Sequence, residues 1–159
     1  MILWGCLAGG LIGTVVMTSG LRLAQELGWT RMDLPLLLGT VFTEDRSRAN
    51  LLGYALHFAN GLVFSLGYAG IFYAVGRAGW DLGLALGAVH AMFAGGGLVT
   101  VLLPALHPRM GTHWTDAEET PILESPGFLL HNYGYATAAI TFATHLAYGT
   151  IVGAFAAGF

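Results

Sequence analysis

The chain has 159 residues, of which 55% are hydrophobic and only 9% are charged, and its formal net charge is −3. A soluble domain carries about a quarter of charged residues, because a surface that faces water needs them. The composition therefore excludes an ordinary soluble protein and indicates a chain surrounded by lipid. All six basic residues are arginines, too few for the basic surface that nucleic acid requires, so that class of partner is excluded.

Four stretches are long and apolar enough to cross a bilayer, which takes roughly 20 apolar residues in a helix. In chain order they cover about residues 2–24, 51–75, 82–106 and 137–159. This pattern predicts an all-α polytopic membrane protein, with residues 1–159 forming a single transmembrane four-helix domain. The single cysteine, Cys6, lies within the first stretch and is expected to be a small buried hydrophobic residue.

The arginines indicate how the four spans are oriented. Four spans place the 1–2 and 3–4 connections on the same side of the membrane, and Arg77 is the one arginine on the opposite side. The others are Arg22, Arg31, Arg46, Arg48 and Arg109. The positive-inside rule makes their side cytoplasmic, so the sequence predicts a multi-pass protein of the inner (cytoplasmic) membrane with both termini outside.

The two halves of the chain resemble each other. "LAGGLIGTVV" at 7–16 aligns with "FAGGGLVTVL" at 93–102, and "YALHFANGLVF" at 54–64 aligns with "FATHLAYGTIV" at 142–152. The matches predict two tandem two-helix repeats, about residues 1–77 and 80–159, related by an axis along the membrane normal. A short interfacial helix is expected in each of the 1–2 and 3–4 connections, capped by Asp33 in the first and by Ser125 in the second.

The alignment of the halves places His57 on His145. A histidine inside a span is costly to bury and usually faces the interior of the bundle. Two neutral imidazoles at the same depth are suited to ligate a haem iron or to bind a transition metal, so we predict that His57 and His145 bind such a cofactor. The sequence leaves two alternatives open: a proton relay, and two separate imidazoles whose hydrogen bonds only hold the helices in register.

His90 lies in the third span and has no symmetric partner, because the repeat aligns it with Trp4. A packing role with satisfied hydrogen bonds is the better interpretation for this residue.

Three further histidines lie in the 3–4 connection, among the acidic residues Asp116, Glu118, Glu119 and Glu124. Imidazoles mixed with carboxylates suit zinc, iron or manganese, so a metal site is one interpretation. Its candidate ligands are His107, His113, His131 and Glu119. The spacing matches no standard metal signature, and the alternative is that these charged residues lie in a loop because the loop meets water. His131 is expected to reach the mouth of the bundle below His57 and His145.

At "LLGYALHFANG" (51–61), "LHPRM" (106–110) and "THLAYG" (144–149), the chain resembles a family of small, uncharacterised four-span bacterial membrane proteins described as a domain of unknown function. The likeness covers most of the chain, and it implies a four-helix membrane bundle but no activity. The histidines that recur in that family correspond here to His57, His145 and the pair His107-Pro108. The family has no histidine at the position of His131, so the resemblance implies no role for that residue.

Three functions are compatible with these features. The first is a bundle that binds a haem or a transition metal through the histidine pair, with a role in electron transfer. The second is a structural or accessory subunit of a larger membrane complex, because no nucleotide-binding loop or catalytic constellation is recognisable. The expected partners are the lipid bilayer and either other membrane subunits or a second copy of the chain in a homodimer. The third is a transporter or channel for a small solute, which internal repeats favour. Whether the protein is an enzyme does not follow from the sequence.

Overall fold

The structure, a computed structural model, describes residues 1–111 and 123–158. Within these ranges, four helices are long and apolar enough to span a membrane, as predicted. Three are continuous α-helices: α1 (Ile2–Glu26), α3 (Arg46–Val75) and α6 (Thr137–Gly158). The third span, Trp80–Leu106, begins as α4 (Trp80–Ala91), continues as a π-helix (Met92–Leu102) and ends in one α-helical turn, α5 (Leu103–Leu106). The architecture is that of a multi-pass membrane protein.

The second span begins five residues earlier than the apolar stretch predicts. The carboxylate of Asp45 accepts a hydrogen bond from the backbone N–H of Arg48 at 2.8 Å, which satisfies a donor in the first helical turn. The helix therefore starts in a polar segment that hydropathy alone leaves out.

Glycines bring three of the four spans into close contact. Gly9 of α1 packs so closely on α6 that a methyl group there would lie 2.9 Å from the Cα of Val152. On the other side of α6, a methyl group at Gly149 would lie 2.8 Å from the Cα of Gly87. Such close approaches through small residues are the usual way in which membrane helices pack. The helix α6 is therefore held between α1 and the third span, and α1 also packs on α3.

The contact between α3 and the third span is different. Their backbones do not pack closely, and the two helices are bridged by side chains. The ring of Phe64 lies 3.9 Å from that of His90 and 6.3 Å from that of Phe93, measured between centroids. In an exact two-fold repeat, α1 corresponds to the third span and α6 corresponds to α3. The third span would then pack on α3 through glycines, as α1 packs on α6. The described packing departs from two-fold symmetry here, and the tandem repeat remains a prediction.

A short helix is expected in each connection, and among the described residues the first connection contains a regular one with the predicted cap. The helix α2 (Leu34–Gly39) follows Asp33, whose carboxylate accepts from the N–H of Leu36 at 3.1 Å, as expected. In the second connection, the segment Phe128–Tyr133 makes 3-10-type turns interrupted by a kink, because Leu129 and Leu130 have left-handed φ angles of 50° and 63°. It follows Gly127, whose φ is 68°. The prediction that Ser125 caps a helix is wrong, because the left-handed turn after it prevents an α-helix from starting there.

The two connections are docked on each other at one end of the bundle. The N–H of Arg31 donates to the carbonyl oxygen of Tyr133 at 2.6 Å, and the hydroxyls of Thr30 and Thr137 lie 2.8 Å apart. The same two connections are joined a second time where the Arg109 guanidinium donates to the carbonyl oxygen of Thr40 at 2.7 Å. These bonds hold α2 and the segment Phe128–Tyr133 beneath the spans.

Candidate functional site

A cavity of about 380 Å3 lies between α3 and the third span, with α1 and α6 behind it and α2 at its lower end. Most of its lining is aliphatic or aromatic. The polar lining residues are Thr14, His57, Asn60, His90, His107, Thr141, His145 and Tyr148. No charged side chain lines the cavity among the residues that the structure describes. An apolar cavity with a few polar groups is the usual form of a small-molecule site, and the missing charge suits a neutral guest.

His57 lies on the α3 wall of this cavity. Its side chain is only 6% exposed, and its Nε2 atom has no hydrogen-bond partner within the described parts of the chain. A buried polar atom without a partner costs about 1–3 kcal/mol, so native proteins rarely keep one without a use for it. None of the described residues supplies a partner for the Nε2 of His57.

His145 lies on the α6 wall of the same cavity, and its protonation can be assigned. Its Nδ1 atom lies 2.7 Å from the backbone carbonyl oxygen of Thr141. A carbonyl oxygen only accepts, so Nδ1 carries the proton and Nε2 keeps a lone pair. Histidines that ligate metals are held in this way, with one ring nitrogen donating to a carbonyl and the other left free to bind.

Among the described residues, the hydroxyl of Thr141 is the second buried polar side-chain atom without a partner. Threonines in membrane helices usually donate to the carbonyl oxygen four residues earlier, as Thr14 does to Gly10 at 2.7 Å and Thr150 does to Leu146 at 2.8 Å. Thr141 does not make this bond, although its side chain is only 7% exposed. Thr141 lines the cavity, and its hydroxyl has no partner among the described residues.

Asn60 marks the opening of the cavity toward lipid. It lies near the middle of α3, lines the cavity and is exposed, and its amide makes no hydrogen bond within the described residues. Leu102 of the third span also lines the cavity and is exposed. An exposed amide at the depth of the hydrocarbon lacks water to bond with, so it favours a polar guest at this opening.

His90 belongs to the cavity, which its sequence position does not indicate. Its ring packs against that of His145 with the centroids 4.7 Å apart, and the Tyr68 hydroxyl lies 3.5 Å from its Nδ1. The packing role predicted for His90 is thus seen, but it occurs in the wall of the site. In the sequence, this position is indicated only by the presence of a histidine within an apolar span.

The π-helix forms the cavity wall on the third span. Gly95, Leu98, Val99 and Leu102 of this segment line the cavity. A π-helix is wider than an α-helix, and such segments are frequent at functional sites. The Thr100 hydroxyl donates to the carbonyl oxygen of Gly95, five residues earlier, and so stabilises the wider turn.

The candidates from the 3–4 connection are separated in the structure. His131 is exposed and does not line the cavity; the adjacent Leu130 does, so the expectation that His131 reaches the mouth is wrong. His113 and Glu119 lie outside the described residues. Within residues 1–111 and 123–158, no group of three or more histidine, cysteine or acidic side chains is placed to hold a metal ion. The loop metal site stays a prediction.

Both ring nitrogens of His107 are used by the protein. Its Nε2 donates to the carbonyl oxygen of Leu37 at 3.1 Å, and its Nδ1 accepts from the N–H of Arg109 at 3.0 Å. The neutral ring therefore fixes α2 to the end of the third span. Desolvation by burial is the main cause that lowers the pKa of His107.

We expect acid to weaken this link. In the unfolded chain the imidazole titrates near pH 6.5, whereas the folded state resists protonation, so the stability should be intact above about pH 6.5 and fall as the pH drops through the lower folded pKa. His107→Gln should cost about 1–2 kcal/mol at neutral pH and remove this part of the pH dependence. Thermal unfolding in detergent between about pH 8 and about pH 5 measures both effects. His131→Gln is the control, and an unchanged pH profile in His107→Gln would contradict this role.

Comparisons with known proteins do not extend the assignment. No protein-family model matches the chain, and no curated protein or solved structure is significantly similar to it. The resemblance to small four-span bacterial membrane proteins therefore remains an expectation, and the proposed function depends on the geometry of the cavity.

Proposed function

We propose that this protein is a membrane-embedded binding protein that holds a neutral ligand or cofactor inside the bundle, in contact with His57 and His145. The observation that carries the proposal is one cavity that contains both imidazoles and has an unpartnered Nε2 on His57. The cavity volume of about 380 Å3 lies within the range of roughly 300–1,000 Å3 that small-molecule sites occupy.

A haem or a transition metal held by His57 and His145 is the second candidate. The proton on Nδ1 of His145 favours it, because this leaves Nε2 with the lone pair that a metal needs. A bare divalent cation fits less well, since no carboxylate among the described lining residues offsets its charge. The volume lies near the lower end of the range for small-molecule sites, which favours a guest smaller than a porphyrin.

We further propose that the docked connections face the cytoplasm of a bacterial cell, because five of the six arginines lie on that side of the spans. Labelling with a membrane-impermeant maleimide tests this orientation in intact cells. Ala78→Cys, between the second and third spans, should react, whereas Ser47→Cys, at the start of α3, should react only after lysis. The reverse pattern would overturn the orientation.

The binding proposal is tested on protein purified gently from its own membranes. Native mass spectrometry, elemental analysis and an absorption spectrum distinguish a neutral organic ligand from a metal and from a haem. We expect one organic molecule per chain, lost in His57→Ala and in Ala94→Phe, which fills the cavity, and kept in His131→Ala. A Soret band or a stoichiometric metal would favour the second candidate. A chain with no organic molecule and no metal would overturn both.

A further inference from the structure

We propose that the ligand is a quinone-class molecule: a flat neutral ring with carbonyl oxygens at two opposite edges and an apolar tail. This inference rests on the proposed function and adds the chemical class of the ligand. It is carried by the positions of the unpartnered polar groups, by the absence of charge in the described lining and by the opening between α3 and the third span.

The polar groups lie on two different helices that line the cavity. His57 and Asn60 are on α3, whereas Thr141 and His145 are on α6. A ligand with a single polar atom, such as a long-chain alcohol, would form hydrogen bonds with the polar groups of one helix and leave those of the other helix without a partner. A ring with an oxygen at each of two opposite edges satisfies the polar groups of both helices at once.

The hydrogen-bonding character of these groups suits both redox forms of such a ring. The Thr141 hydroxyl and the Asn60 amide donate to carbonyl oxygens, as the oxidised form requires. The Nε2 of His145 accepts, as the hydroxyl groups of the reduced form require, because its proton lies on Nδ1. The site can therefore bind the molecule before and after reduction without a change in its own protonation.

The route into the site favours a molecule dissolved in the membrane. Asn60 on α3 and Leu102 on the third span both line the cavity and are exposed, so the cavity reaches the lipid-facing surface of the bundle. An apolar tail leaving the cavity there would lie along exposed aliphatic side chains in the hydrocarbon. A fatty acid would bring a carboxylate, and no arginine lies among the described lining residues to pair with it.

The test uses the purified full chain in nanodiscs and a benzoquinone that carries a decyl tail. Bound quinone is counted after size-exclusion chromatography from the oxidised-minus-reduced absorbance, and affinity is measured from the ligand-dependent shift in melting temperature. Decylbenzene, which has the same tail but no oxygens, and decanol, which has one, are the comparison ligands. The matched variants are Thr141→Val and Thr144→Val, one turn apart on α6; the hydroxyl of Thr144 already donates to the carbonyl oxygen of Thr141.

We expect about one quinone per chain and binding weakened roughly 2- to 10-fold by Thr141→Val, the loss expected for one hydrogen bond, with little change in Thr144→Val. Decylbenzene and decanol should bind more weakly than the quinone. Equal binding of the three ligands, or equal effects of the two valine variants, would overturn the quinone class while leaving the binding proposal intact. No binding of any of the three, with no native ligand in the purified chain, would overturn both.

Discussion

Replacing Gly149 with leucine is expected to separate α6 from the third span and to prevent the bundle from folding. A side chain at Gly149 would meet the backbone of Gly83 and Gly87, and its first carbon would already lie 2.8 Å from the Cα of Gly87. Backbone on the facing helix cannot move aside as a flexible side chain can. Overpacking of this kind should cost about 3 kcal/mol or more. Yield of monodisperse protein and melting temperature in detergent measure the loss.

The control is the same substitution on a glycine that faces away from the bundle. Gly70 of α3 is exposed, and a methyl group there would meet no atom within 4 Å. Gly70→Leu should be tolerated, because an apolar leucine side chain is stable in contact with lipid and leucine is a better helix former than glycine. If both variants fold equally well, the close packing of α6 on the third span is not what holds this side of the bundle together.

Removing His57 and His145 together should be little worse than removing either one alone. If both imidazoles contact one ligand, either alanine variant loses that ligand and the stabilisation it supplies, about 2.7 kcal/mol at a hundredfold excess over Kd. The double variant then has no further ligand binding to lose. The expected coupling, about 0.5–3 kcal/mol, is obtained from a double-mutant cycle on melting temperatures with native ligand present.

Additive losses would contradict a shared ligand. If each imidazole holds its own helix through its own hydrogen bonds, each alanine substitution lowers the stability independently. The coupling energy from the double-mutant cycle would then be near zero. Repeating the cycle on protein stripped of ligand is the internal control, since coupling through a ligand should disappear there. His131→Ala, at an exposed position outside the cavity, should be additive with either variant.

The four spans could be predicted from the sequence because hydrophobic length is a local property. The predicted starts of the first and fourth spans match Ile2 and Thr137. The second span begins at Arg46 because the carboxylate of Asp45 caps the helix, and a hydropathy profile contains no information about caps. Asp33 could be predicted as a cap because it precedes a proline in the first turn of α2, a pairing that is itself a local signal.

The cavity could not be predicted, because it results from the way the helices pack. The alignment of His57 with His145 placed both imidazoles at one depth, and the structure places both on one cavity. The sequence does not indicate that the backbones of α3 and the third span remain separated. Both helices are as rich in small residues as the helices that pack closely on each other, α1 on α6 and α6 on the third span. The unused hydroxyl of Thr141 is equally hidden, because Thr14 and Thr150 show the same local pattern and make the usual bond.

The most direct test of a histidine-lined binding cavity is a crystal structure of protein purified from its own membranes without added ligand. We expect density for one non-protein molecule between α3 and the third span, within hydrogen-bonding distance of the Nε2 of His57 and the hydroxyl of Thr141. A cavity filled by neighbouring side chains, with both atoms bonded to other groups of the chain, would contradict the proposed function.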